Sequence, residues 1–170
     1  MAIIETSRLI LCELKTEDAA FIFKLYNDPD FILYIGDKGI RSINDAEKFI
    51  EDGPKKSYKD YHHGLYLVQL KDSTSIGICG LLKRENLDLP DIGFALLPDY
   101  RKMGFIYEAS KAVIQDAKKR LLLHNIVAMT SPNNNASAKL LIKLGFKFKE
   151  IIKVDPDNKP TELYTIQIDS

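Results

Sequence analysis

Asp99-Tyr100-Arg101-Lys102-Met103-Gly104-Phe105-Ile106-Tyr107-Glu108-Ala109 is the stretch on which the reading of the fold turns. Before it, the apolar run 91–97 reads as a strand. After it, Ala109, Val113, Ala117 and Leu121 recur every four residues and predict a helix over 104–121 with one buried face. The stretch is therefore a strand–loop–helix junction. A helix start presents unsatisfied N–H groups and the positive end of the helix dipole, where anions bind. Gly104 lets the backbone approach a ligand closely, and Arg101 and Lys102 add charge. A single glycine also marks an ordinary strand–helix turn, so phosphate binding and a plain turn both stay open here.

A second junction lies downstream. The β-rich run 125–130 leads through Ser131-Pro132-Asn133-Asn134-Asn135-Ala136-Ser137 into a helix predicted over 133–144. Ala136, Leu140 and Leu144 share one face, and Gly145 follows as the left-handed cap. Consecutive Asn residues offer several hydrogen-bonding groups at a helix start. A plain Asn N-cap is their simpler use.

Working outward, 8–13 reads as a first strand and Thr16 as the cap of a helix that Asn27-Asp28-Pro29 stops. Ser42-Ile43-Asn44-Asp45 opens another helix, which Gly53-Pro54 ends. Runs 64–70, 75–82 and 91–97 form an antiparallel meander across short turns. Segments 146–154 and 161–168 pair as a hairpin across Asp155-Pro156-Asp157-Asn158. The order is α+β, with a mixed, mostly antiparallel central sheet flanked by helices.

Composition sets the limits. With 170 residues, 45% hydrophobic and 28% charged, the chain reads as one globular domain over 1–170. Zero net charge argues against a nucleic-acid binder. Charge is uneven, however: residues 101–150 hold ten Lys or Arg against three Asp or Glu. That excess suits an anionic ligand, or simply solvated helix faces. Cys12 and Cys79 form neither a CxxC nor a Cys/His cluster, so no metal site is expected. No signal peptide and no membrane span are visible, and a cytoplasmic setting is the default. Walker A, dinucleotide and Gly-x-Ser-x-Gly fingerprints are absent.

Together the two junctions resemble the GNAT acetyltransferase superfamily, in the branch of ribosomal-protein N-terminal acetyltransferases. Arg101-x-x-Gly104-x-Ile106 is similar to the family's phosphate loop. Asn134-x-x-Ser137, then Leu140 and Lys143-Leu144-Gly145-Phe146, is similar to its Asn-x-x-Ser…Lys-Leu-Gly-Phe signature. Thr6-Ser7-Arg8-Leu9-Ile10-Leu11, Asn27-Asp28-Pro29 and Asp91-Ile92-Gly93-Phe94 resemble further parts of the branch's pattern. The resemblance implies acetyl-CoA as cosubstrate, with the strand Phe94, Ala95, Leu96 bonding the pantetheine arm. The amides of Lys102, Met103, Gly104, Phe105, Ile106 and Tyr107 would hold the pyrophosphate, with Arg101 adding charge. Asn134 would bond the pantetheine and Ser137 would lie near the sulfur.

The resemblance also implies the acceptor, a primary amine on a peptide N-terminus or a small molecule, and family members often dimerise. The amine must lose a proton to attack the thioester, and Asp91 is the candidate base by its match to the family's Glu. Ser137 is the candidate partner of the leaving thiolate. Two positions depart from the pattern: Ile106 stands where Gly or Ala is usual, and Tyr107 where a small residue is common. Both bear on whether the usual cofactor pose fits. They motivate a second reading, a non-catalytic acyl-CoA-binding protein. A polyamine acceptor is a third, favoured by an acidic acceptor groove.

Overall fold

A computed structural model describes residues 1–154 and 159–168; the predicted turn at 155–158 lies outside them. One eight-stranded sheet carries the chain, in the order β1-β2-β3-β4-β5-β6-β8-β7. Its strands are β1 (Ala2–Glu5), β2 (Leu9–Glu13), β3 (Leu65–Leu70), β4 (Ser75–Leu82), β5 (Asp91–Leu96), β6 (Asn125–Thr130), β7 (Lys147–Val154) and β8 (Lys159–Gln167). Every neighbouring pair is antiparallel except β5 and β6. The predicted meander and the α+β class hold.

Helices cover both faces of the sheet. On one face lie α1 (Ala19–Tyr26), α2 (Pro29–Tyr34) and α3 (Ile43–Ile50), followed by α4 (Lys56–Tyr61), whose Tyr58 reaches the core of the other face. On the other lie α5 (Phe105–Lys119) and α6 (Asn135–Lys143). Two cores follow from strand alternation. Leu65, Leu67 and Ile78 pack with Ile22, Leu25 and Ile50. Tyr66, Val68 and Cys79 pack with Ala109, Val113 and Ala117 of the predicted α5 stripe.

Two expectations from sequence need correction, and a third gains a second role. Asn27-Asp28-Pro29 ends α1 but at once starts α2: Asp28 caps it, accepting from the Phe31 amide at 3.1 Å, and Pro29 takes the first helical position. Proline is tolerated there because that N–H has no intrahelical partner. Gly53-Pro54 does not end α3. The chain runs through a widened π-type turn (Glu51–Lys55) into α4, with Pro54 buried inside it. The wider turn spaces the backbone around a ring that would break a regular helix. Thr16 is no cap; it lies in a 3₁₀ turn and its hydroxyl donates to Glu51.

The strand β1 was not predicted, since Ala2-Ile3-Ile4-Glu5 is short and sits at the edge. In α4 the Tyr58 hydroxyl donates to the Leu65 carbonyl and accepts from the Leu14 amide, while its ring stacks on Tyr66. These contacts pin the long helical segment to the sheet.

Candidate active site

β5 and β6 pair only through Asp91↔Val127 and Ile92↔Ala128, at the start of β5. Beyond Ile92 the two parallel strands part. The Leu97 amide bonds the Ile76 carbonyl at 2.9 Å, so alternation turns the polar groups of Phe94 and Leu96 away from β4 and toward the opening. The Leu96 carbonyl is met by Arg101 Nε at 3.1 Å. Phe94 keeps its backbone on the open edge.

The N-terminus of α5 stands beside this opening. Gly104 adopts φ +80° as N-cap, a conformation costly for any residue with a Cβ, and Lys102 has φ +62°. The first i→i−4 bond runs from Glu108 N to Gly104 O at 3.1 Å. The amides of Phe105, Ile106 and Tyr107 therefore have no partner within the helix, and no side chain caps them. Lys102, Met103 and Gly104 are exposed around them. Free amides at a helix start are the kind of donor set that anions bind.

A brace that sequence reasoning missed holds the loop from behind. Glu108 Oε1 accepts from Thr6 Oγ1 (2.7 Å), Ser7 Oγ (3.1 Å) and Arg8 N (3.0 Å), and Oε2 from Arg8 Nε (2.6 Å). Partial burial pushes the Glu108 carboxyl up, but these hydrogen bonds outweigh it and bring it down to about 2. Arg8 also donates to the Met103 carbonyl at 3.0 Å and lies 4.5 Å over the Phe105 ring. The only sequence signal was the Thr6-Ser7-Arg8 motif itself.

Arg101 is placed differently from expectation. Its guanidinium is bound by Asp28, at 2.6 Å, and by Asp30. Two carboxylates neutralise the charge assigned to the phosphate loop, and the side chain ties β5 to α2 instead. Ile106 packs against the core beneath α5, and Tyr107 presents its ring to Lys143 Nζ at 4.4 Å.

At the second junction Asn134 caps α6 as the simpler reading expected, its Oδ1 accepting from Ser137 N at 3.1 Å. The Ser137 hydroxyl is half-buried and makes no hydrogen bond within the described residues. Just before it, at the end of β6, Thr130 Oγ1 is buried without a partner. Both hydroxyls lie at the end where β5 and β6 diverge.

The opposite face holds the second half of the site. A cavity of about 340 Å³ lies between β4–β5 and α1–α4. Gly93 and Ala95 line it from β5, and Phe94 lines it at the open edge. Gly53 and Pro54 of the widened turn reach it from the helical side. Asp91 shares the face of Gly93 and Ala95, buried to 2% exposure. Arg84 Nε holds one carboxylate oxygen at 3.0 Å. Burial pushes the Asp91 carboxyl up, and the Arg84 charge and hydrogen bond pull it only partly back. Asp91 lies three residues, ~10 Å, up the strand from Phe94.

Comparison with known proteins agrees with this geometry. Residues 8–147 match the acetyltransferase (GNAT) domain family. The chain is 26% identical over 155 residues to the uncharacterized N-acetyltransferase YoaA of Bacillus subtilis (strain 168), covering 89% of this chain and 86% of that protein. Its fold is similar to that of RimL, a ribosomal L7/L12 α-N-protein acetyltransferase solved with coenzyme A. The TM-score is 0.84 at 15% identity, over 99% of this chain and 98% of that one. A spermidine N-acetyltransferase from Vibrio cholerae, solved with CoA and spermine, superposes with TM-score 0.79 at 18% identity, over 95% and 96%.

Proposed function

The chain belongs to the acetyltransferase (GNAT) family and is an acetyl-CoA-dependent N-acyltransferase, and we propose that its acceptor is a primary amine taken in the cavity beside Asp91. One observation carries this reading. The β5–β6 opening stands beside the uncapped start of α5 on one face of the sheet, and Gly93, Phe94 and Ala95 of the same strand line a cavity on the other. Among the similar proteins, one acts on a protein N-terminus and another on spermidine, and both acceptors are amines.

Each part of the chain has a role in this scheme. The free amides of Phe105, Ile106 and Tyr107 hold the donor's pyrophosphate, with Lys102, Met103 and Gly104 lining the loop. The open edge of β5 at Phe94 bonds the pantetheine arm, in line with Ala95 and Leu96. The amine of the acceptor gives up a proton to Asp91 through water, and its lone pair attacks the thioester carbonyl. The N–C bond forms, the C–S bond breaks, and the proton is returned to the thiolate or to solvent. A Phe94 N–H facing the gap is a donor for the oxyanion. The Ser137 hydroxyl, unoccupied by other bonds, donates to the departing sulfur. Asn134 already uses its carbonyl in capping α6, so its amide NH₂ is the group left for the pantetheine.

Calorimetric titration with acetyl-CoA, followed by CoA release in the presence of primary amines, tests the scheme. Micromolar binding and amine-dependent release are expected. Binding without release from any amine would favour the acyl-CoA-binding reading, and no binding would remove the donor site.

A further inference from the structure

The geometry points to an anionic acceptor: a primary amine on an apolar or aromatic body that also carries a carboxylate or phosphate, read by Arg84. This deepens the transferase reading and rests on it. The cavity has an aromatic wall in which Tyr26 lies 4.3 Å from Phe31 and 4.8 Å from Phe49, centroid to centroid. Its charged lining is Lys38, Lys83 and Arg84; among the described residues no Asp or Glu lines it. Lys83 Nζ is held by the carbonyls of Leu87 (2.8 Å) and Asp88 (3.0 Å). Arg84 bonds Asp91 through Nε alone, so its two terminal nitrogens remain to form the paired hydrogen bonds a carboxylate or phosphate accepts. The Tyr26 hydroxyl, also without a hydrogen bond within the described residues, adds a neutral donor to the same wall.

Carboxylates near the mouth do not reverse this balance. Asp37 is bound by Arg41, and at the start of α3 the Asp45 carboxylate accepts from Arg41 N while its own amide donates to Ser42 Oγ. Asp52 shares the adjoining groove with Lys48. A polyamine would bring several positive charges against Lys83 and Arg84 in a partly dry cavity, a repulsive arrangement. The same cations favour the neutral form of a single amine, which is the nucleophilic one.

The test uses small probes in the presence of CoA: phenylacetate, phenyl phosphate, phenethylamine and spermidine. Binding is read by NMR, with the Gly93 and Ala95 amides reporting the cavity. Wild type should bind at least one of the two anions at about millimolar Kd and both amines about 10-fold more weakly. Which anion binds tighter distinguishes a carboxylate from a phosphate acceptor. Arg84→Gln should weaken the preferred anion about 10-fold, and Arg84→Lys should recover part of it. In turnover, phenylalanine should exceed phenethylamine in kcat/KM, and the ratio should collapse in Arg84→Gln. The ratio removes any shared loss through Asp91. Equal or tighter binding of spermidine or phenethylamine in wild type would overturn the proposal, whatever the variants do. So would anion affinity indifferent to position 84, or no binding by any probe. Acetyl-CoA titration of the same sample reports the transferase reading separately: its failure alone leaves the charge selectivity standing.

Discussion

Glu108→Gln should loosen the donor loop while leaving the fold intact. The carboxylate accepts four hydrogen bonds from Thr6, Ser7 and Arg8, one of them an ion pair at 2.6 Å. Gln keeps one acceptor oxygen but sets an NH₂ against Arg8 Nε, so a charge-assisted bond becomes a donor–donor contact. Arg8 is half exposed, and solvent screening reduces the pair's share. The net loss is about 1–2 kcal/mol. In a domain of this size that lowers Tm by about 3–6 °C. The pH dependence gives the sharper signature. Glu108 stays ionised in the folded chain down to about 2, against an ordinary glutamate value of 4.5. A depressed carboxyl stabilises above its unfolded pKa, and that stability is lost as pH falls toward its folded value. The difference between wild type and Glu108→Gln should be constant at neutral pH and shrink between about pH 4.5 and 2. Urea titrations across pH measure it. Because Arg8 also holds the Met103 carbonyl, acetyl-CoA should bind about 3–10-fold more weakly to the variant. A stability difference near zero at pH 7, or one unchanged down to pH 3, would refute the brace.

Other substitutions separate the remaining roles. Asp91→Asn should lower kcat by about 10²-fold or more and remove the acidic limb of the pH–rate profile. In wild type that limb should sit above the usual carboxylate range, since burial raises Asp91. Ser137→Ala should slow kcat about 10-fold with little change in acetyl-CoA affinity; unchanged kcat would remove it from the sulfur. Ile106→Ala should cost about 1–3 kcal/mol, because the side chain packs on the core, and should not improve acetyl-CoA binding measured by calorimetry. Thr130→Val should stabilise the apo chain by about 1 kcal/mol in thermal melts, since it removes a buried hydroxyl with no partner.

The fold was legible wherever the signal was local and periodic. The α5 stripe, the meander and the Asn134 cap rest on spacing within a few residues, and each is found where expected. Proline ended α1 as read but misled at Gly53-Pro54: its chemistry forbids a regular interior turn but permits a first turn and a widened one. Pro29 and Pro54 occupy those two exceptions. The site was less legible because its partners are distant. Arg101 reads as a phosphate ligand from its neighbours, yet its charge is taken by Asp28 and Asp30, 73 and 71 residues away. The cavity's cations come from the segment before α3 and the loop after β4, and nothing in either marks them as facing one space.

One strand explains why donor and acceptor functions can be separated so cleanly. Along β5, Asp91, Gly93 and Ala95 face the helices α1–α4, while Ile92 and Leu96 face α5. Phe94 stands on the α5 side yet reaches the cavity at the edge, at the point where the ladder to β6 has ended. β5 thus separates the α5 face from the cavity, and its ladder to β6 ends at Ile92. Arg101 fastens the end of that strand to α2, which carries Phe31 of the acceptor wall. A shift of the donor loop is therefore mechanically linked to the acceptor cavity. The two carboxylates that hold Arg101 are the groups that make this link.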